Sequence, residues 1–589
     1  GKSYQENFSL KIQMKQPINA ARGNIYDKNG KLLAYNELAY SISINDSTTY
    51  SSTKEKNKAV NAELAEILTV LKNNGETLNN DFKIDRKKDG TYSFNVSGSS
   101  LNRFRADVFG KSSADDLEYD KDTGIDEANA TAEQIMEYLM GKDNFGISSK
   151  YDGDLAYRIV VVRYAMLGNR FARYKEVKIA TDVSDKTVAY VNEHMDTLSG
   201  ISVNEDMIRK YNYSEYFSSI IGYTGPISES EYTALHKKNK DYTQNDTVGK
   251  AGLEQYYETY LRGKNGEQKF YIDNVGRISE IISSTDSVAG DDLYLSIDAD
   301  LQKATYLALQ NEIAAIVYSS IKSGEIPIND VYTALIGNSV INTEHFSKAK
   351  ASDTEKNVLS VFKSRQKTTL GKIKQELTSS PEALNTMSDE VLDEFTYIIS
   401  MLKDDQVLLK NEIDTSDSVY QKWKNQKISP KEYLSYCITQ HWIDISQLNV
   451  DEKYADSTEV YDALCKYILK NIKTDTEFSK IIYQYMITRG EISPRQLCLI
   501  LFDQGVLDYD DATVNKLKNG SLSPRDFLMK KIYNIEITPA QLALEPCIGS
   551  CVVTDEKTGE IRAMVSYPGY DSNKLANGVD SEYFASLQH

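Results

Sequence analysis

The spacing of apolar and polar positions changes character several times along the chain, and each change predicts a different kind of element. Residues 1 to 50 read as strands. Within them Asn24-Ile25-Tyr26-Asp27-Lys28-Asn29-Gly30-Lys31-Leu32-Leu33-Ala34-Tyr35 sets an Asn-Gly turn between two short apolar stretches, which predicts a β-hairpin. From 57 to 73 the period becomes helical: Val60, Leu64, Ile67, Leu68 and Leu71 share one face, and the helix stops at Asn73-Asn74-Gly75. Residues 75 to 150 predict short polar strands, turns and a helical piece near Thr131 to Met140. A helix over Asp154 to Leu167 follows, with strands again around Val177 to Ala180 and Ile201 to Val203. Helices and strands mixed without βαβ regularity argue for an α+β fold.

From about 301 to 535 glycine becomes sparse and amphipathic helical stripes dominate. Ser380-Pro381, Ser429-Pro430, Ser493-Pro494, Ser523-Pro524 and Thr538-Pro539 punctuate this part. In each, the hydroxyl can accept a backbone N–H at a helix start, and proline in the first turn has no N–H to leave unpaired. Five of the ten prolines are therefore expected to start helices. The last four pairs follow Ile or Leu, which can staple onto the first turn. Their intervals of 64, 30 and 15 residues are too irregular for a solenoid, so an irregular all-α domain is expected. After Thr538, Ser550–Asp555 and Glu560–Ser566 predict a hairpin whose strands are apolar enough to sit centrally in a sheet.

At 589 residues the chain is too long for one domain. Its net charge of −18, with no basic block, argues against nucleic-acid binding. No apolar run of membrane-spanning length occurs, and Gly1 to Leu10 lack the pattern of a signal peptide. Cys437, Cys465, Cys498, Cys547 and Cys551 are an odd number confined to one region, which is no disulfide framework, and the helical ones read as small core residues. His194, His236, His345, His441 and His589 are scattered, so no metal site and no cofactor is expected.

Several stretches resemble one family. Asn19-Ala20-Ala21-Arg22-Gly23-Asn24-Ile25-Tyr26-Asp27-Lys28-Asn29-Gly30 is similar to the first motif of class B penicillin-binding proteins. Arg209-Lys210-Tyr211 leading to Ile221-Gly222-Tyr223-Thr224-Gly225 resembles their second motif, and Gly249 to Glu258 through Leu261 to Gly266, with Gly252 and Glu254, their third. Leu293 to Gln302 resembles the start of the transpeptidase domain, and Val552 to Asn573 that domain's first hairpin. Asn212 and Ser214 stand where the family usually has Pro and Gly, and Ser219 where it has His.

Read physically, these motifs are structural. Arg22 can pair with a carboxylate such as Asp27 or Glu254, Gly23 and Gly30 supply turn geometry, and Gly222 with Gly225 allows a tight bend. Glu254, on a helix beginning near Ala251, would need a partner such as Arg22 or Arg209 if buried. The resemblance implies a pedestal or dimerisation module over 1–295 with a head subdomain around 45–200, and the start of a transpeptidase domain at 296–310. It also implies a helical insertion at 311–537, where the family usually runs directly from helix to hairpin, and the first hairpin at 538–589.

The family's activity is D,D-transpeptidation of peptidoglycan. A Ser of Ser-x-x-Lys attacks a D-Ala-D-Ala stem peptide with the Lys as helper, and Ser-x-Asn and Lys-Thr-Gly follow. Ser51/Lys54, Ser347/Lys350, Ser360/Lys363 and Ser364/Lys367 spell the first motif, but all precede the hairpin. Lys557-Thr558-Gly559 spells the third, but falls in the hairpin's turn. No catalytic residue is therefore expected in this chain, which is read as a fragment ending before the nucleophile and inactive alone. The resemblance further implies stem peptides and β-lactams as ligands of the complete protein, and membrane-protein partners of the division or elongation machinery. A homodimer is an assembly it allows, and its location would be the outer face of the bacterial cytoplasmic membrane, with an anchoring helix upstream of Gly1. The alternative function is a non-catalytic scaffold or sensor of cell-wall assembly.

Overall fold

A computed structural model describes residues 12–45, 50–87, 90–96, 98–121, 123–168, 176–243, 246–272, 278–379, 381–448, 450, 456–576, 583–584 and 587. The chain divides into two compact units, Gly1–Leu307 with Ser550–Gln588, and Ala308–Gly549. Among the described residues no helix is long and apolar enough to cross a membrane. The fold is mixed α and β in the first unit and helical in the second.

The first unit is organised around one long strand, Leu32–Ile44. Ile201–Tyr211 pairs antiparallel along it from Ala34 to Ile44, while its other edge is shared by Ile25–Tyr26 at one end and Val177–Thr181 at the other. The Asn29-Gly30 turn joins the first of these pairs, with Gly30 at φ +80°. Leu293–Tyr294 adds in parallel beside Ile25–Tyr26. A separate antiparallel sheet brings together Ile12–Ile18, Gly266–Ile272 and Ile278–Thr285. Beyond the far end of the long strand, Thr53–Asn73 buries the apolar stripe read from the sequence against Ile159, Val162 and Ile179. A second core gathers Phe82, Phe104, Ile135, Met136 and Val160.

The second unit contains no extended strand among its described residues, only a single bridge between Leu408 and Ile443. Four helices start as their Ser/Thr-Pro pairs predict. Ser429, Ser493, Ser523 and Thr538 accept the backbone N–H of Glu432, Gln496, Asp526 and Gln541, with proline in each first turn. The turn before each is also the same. A left-handed residue (Gln426, Gly490, Gly520 or Ile535) precedes by two positions the apolar residue next to the cap. One helix turn is thus reused, although the intervals hide it. Replacing Ser493 by alanine is expected to cost about 1 kcal/mol of stability, read from the denaturant midpoint of the protein.

The fifth pair departs from this expectation. Ser380 lies outside the described residues, and Pro381 is not helical; the next α-helix, Asp389–Asp404, begins after Ser388. The intervening backbone is engaged elsewhere, since Leu384 N–H donates to the Ile428 carbonyl and Asn385 N–H to that of Gln426. Cys437, Cys465 and Cys498 are buried, and burial pushes their thiols up to about 12, 11 and 12.

The closing hairpin pairs Gly549–Thr554 with Ile561–Tyr567. Central strands were expected, but among the described residues the pair stands alone, with Val552 57% exposed. Only one face is covered: Ala563, Val565 and Tyr567 alternate inward while Met564 is 38% exposed.

Candidate functional site

The motif residues of the first unit converge on a buried ion cluster. Glu254 sits on the short helix Gly252–Tyr256, Glu258 begins the next, Glu258–Leu261, Arg209 lies near the end of the strand Ile201–Tyr211, and Arg22 precedes the hairpin. Arg22 Nε donates to Glu254 Oε2 at 2.6 Å, its Nη2 to the Glu254 carbonyl at 2.8 Å, and its Nη1 lies 2.8 Å from Glu258 Oε2. Arg209 Nε donates to Glu254 Oε1 at 2.7 Å, and the Tyr211 hydroxyl to the same oxygen at 3.3 Å. Glu258 accepts from the Tyr242 hydroxyl at 3.2 Å and from Gly249 N–H at 2.9 Å. Two guanidinium groups thus meet two carboxylates with every carboxylate oxygen bonded, the condition under which buried charges are tolerated.

The electrostatics follow. Burial alone would push the Glu254 carboxyl up, but Arg22 and Arg209 outweigh it and hold it below the usual carboxylate range. Burial of the Tyr211 hydroxyl beside Glu254 raises it far above the ordinary phenol value. Each carboxylate is held by three donors, and the cluster clamps three segments distant in sequence.

Asp27, offered by the sequence as a partner of Arg22, has another role. Its oxygens accept the backbone N–H groups of Asn29 and Lys31, each at 2.8 Å, and of Ala299 at 3.0 Å. One oxygen is taken by donors of its own turn and the other by Ala299, so the carboxylate is satisfied by main chain alone. Glu258, Tyr242 and Asn36, whose Nδ2 donates to the Arg22 carbonyl at 2.5 Å, were not singled out. The signal available was Glu258 itself, four residues after Glu254 and so on the same side of a helical stretch.

The glycines show how tightly the clamp closes. Gly252 has φ +57°, and a Cβ there would lie 2.4 Å from the Ile220 carbonyl oxygen; at Gly222, φ +75°, it would lie 2.0 Å from that of Ala251. Gly252→Ala combines left-handed strain with this clash. It is expected to destabilise the protein by about 2 kcal/mol or more, measured by chemical denaturation. A Cβ on Gly23 would lie 1.9 Å from the Asp291 carbonyl oxygen, Gly225 pairs with Val248, and the Tyr223 carbonyl accepts Lys250 N–H at 2.8 Å.

Among the positions departing from the family pattern, Asn212 Nδ2 donates to the Leu32 carbonyl at 2.9 Å and Ser214 Oγ accepts Ser572 N–H at 2.6 Å. Ser219 is exposed. The Ser-x-x-Lys pairs at 51, 347, 360 and 364 have both members exposed on the surface. Lys557-Thr558-Gly559 forms the hairpin turn, with Asp555 Oδ1 accepting Lys557 N–H and Gly559 at φ +75°.

Residues 17–295 match the family model described as the penicillin-binding protein dimerisation domain. The peptidoglycan D,D-transpeptidase MrdA of Salmonella typhimurium is 29% identical over 157 residues, 26% of this chain and 25% of that protein. Penicillin-binding protein 2A of Bacillus subtilis is 35% identical over 136 residues, 23% of this chain and 19% of that protein. The chain thus aligns with a quarter or less of the length of these relatives. Penicillin-binding protein 2B of Streptococcus pneumoniae is a solved structure with 23% identity and a TM-score of 0.30, covering 54% of this chain and 46% of that one. By its ordered motifs and its matched family model, the chain carries over residues 17–295 a penicillin-binding protein dimerisation domain.

Proposed function

We propose that the chain is the pedestal and the opening of the catalytic domain of a D,D-transpeptidase that crosslinks peptidoglycan, with its acylated serine supplied from outside residues 1–589. The supporting observation is that Arg22, Arg209 and Glu254, one from each of the three pedestal motifs, meet in a single buried cluster. The relatives' names supply the reaction. The domain reading goes with it: pedestal 1–295, transpeptidase start 296–310, helical insertion 311–537 and first hairpin 538–589. In this reading the complete protein takes stem peptides and β-lactams on the outer face of the cytoplasmic membrane. The pedestal meets membrane-protein partners or a second copy.

The test is labelling with a fluorescent penicillin. The 589-residue chain is expected to remain unlabelled, while the protein extended by the gene sequence after His589 becomes labelled at the serine of a downstream Ser-x-x-Lys. Labelling of the 589-residue chain itself would overturn the placement of the nucleophile. Failure of the extended protein to label would favour the non-catalytic scaffold.

A further inference from the structure

The helix Ser214–Ile221 continues directly from the strand that brings Arg209 and Tyr211 to the ion cluster, and it is gripped from the other side by the hairpin region. Two amide side chains make the grip, Gln302 acting on the helix and Asn573 on the end of the strand before it. Gln302 is fully buried. Its Nε2 donates to the carbonyls of Tyr216 and Met564, each at 2.8 Å, and its Oε1 accepts Met564 N–H at 2.8 Å. One amide thus ties the helix to the strand Ile561–Tyr567 through main-chain atoms on both sides. Asn573 does the same one step along. Its Oδ1 accepts Tyr211 N–H and its Nδ2 donates to the Tyr211 carbonyl, both at 2.9 Å, so the side chain imitates a paired strand at the residue whose hydroxyl reaches Glu254.

The surrounding contacts leave little slack. Ser218 Oγ accepts Tyr570 N–H and the Ser218 carbonyl accepts the Tyr570 hydroxyl, both at 3.0 Å. A Cβ on Gly569 would lie 1.8 Å from the Glu215 carbonyl oxygen. The rings of Tyr216, Tyr306 and Tyr567 pack in series at 5.0 and 5.3 Å. Apolar packing would fill this space as well, but buried amides bonded to main chain at both ends specify one arrangement and penalise every other.

We propose that the helix Ser214–Ile221 rigidly couples the buried ion cluster of the pedestal to residues 561–573, with Gln302 and Asn573 as its two positioning residues. The pedestal thereby sets where the first hairpin of the transpeptidase domain stands. The last step rests on the function proposed above; the coupling itself does not.

Amide hydrogen exchange in the 589-residue protein tests the coupling. Gln302→Met, which keeps the length of the side chain and removes its hydrogen bonds, and Glu254→Gln, in the cluster, are each expected to speed exchange across 561–573 about tenfold. The helix Thr53–Asn73, remote from both, reports the global destabilisation of each variant, and its rates are expected to rise less than those of 561–573. Unchanged rates at 561–573 in Glu254→Gln would overturn the coupling, and so would an equal rise in Thr53–Asn73, which reports global loosening. Asn573→Ala gives the same reading should Gln302→Met not fold.

In the protein extended past His589, Gln302→Met is expected to lower the rate of penicillin acylation at saturating drug while leaving the half-saturating concentration unchanged. An unchanged saturating rate would overturn the pedestal's control of the domain. A wild-type extended protein that does not label instead defeats the transpeptidase reading, with the exchange result still deciding the coupling.

Discussion

Glu254→Ala is expected to destabilise the first unit by about 3–5 kcal/mol, because it removes the carboxylate that two buried guanidinium groups, Arg22 and Arg209, share. Truncation also frees the Tyr211 hydroxyl from its acceptor. Much of the cost is the uncompensated charge left behind, so Glu254→Gln, which fills the same volume, is expected to lose nearly as much. Chemical denaturation at pH 7 measures both.

The pH dependence has a definite sign. The folded carboxyl of Glu254 is held below its unfolded value of about 4.3, so its stabilising contribution is complete above that pH and lost as pH falls through the folded value. The gap between wild type and Glu254→Gln is therefore expected to shrink in strong acid. A gap that stays constant from pH 7 down to acid unfolding would show that the ionised carboxylate is not what the clamp depends on.

The second large effect lies in the helical unit and has the opposite sign. Glu394, on the helix Asp389–Asp404, is only 1% exposed. Its own helix presents Glu390 and Asp393; the helix Asp353–Thr378 presents Arg365 and Lys372; Arg489 and Glu491 follow the helix Thr476–Thr488. The nearby cations are engaged by Glu390, which accepts Arg489 Nη1 at 3.0 Å and lies 3.7 Å from Arg365 Nη2. Burial, and then the Glu390 charge, push the Glu394 carboxyl up to about 8.

The folded value here is above the unfolded one. Its stabilising contribution is therefore complete below about pH 4.3 and is lost as pH rises toward 8, at about 1.4 kcal/mol per pH unit. Glu394→Gln, which mimics the neutral acid, is expected to match wild type near pH 4 and to exceed it by roughly 4–5 kcal/mol at pH 8. Thermal unfolding of the two proteins across that range decides it; parallel stability curves would mean that Glu394 is ionised in the fold.

Much of this was legible from the amino acids, and the legible parts share a cause. The hairpin at Asn29-Gly30, the stripe from Val60 to Leu71 and the four Ser/Thr-Pro helix starts each satisfy their hydrogen bonds or bury their faces according to rules acting over a few residues. Ser380-Pro381 obeyed the same local pattern and failed, because the backbone just beyond it pairs with the loop at Gln426 and Ile428. The pairing of Arg22 with Glu254 was open to inference only as one of two choices, and Asp27 went instead to its own turn.

The sequence by itself determined the hairpin at Asn29-Gly30, the apolar face of the helix Thr53–Asn73, four helix starts in the second unit and, through ordered motifs, the resemblance of its first part to a penicillin-binding protein dimerisation domain. The tertiary structure alone decided that Glu258 shares Arg22, that Gln302 and Asn573 bridge segments 262 and 362 residues distant, and that Glu394 is enclosed beside another acid. The division is physical. A cap or turn is completed within one helical turn of chain, where spacing is visible. A buried charge or amide is completed by groups hundreds of residues away, and its partners become defined only when burial has removed water as the alternative.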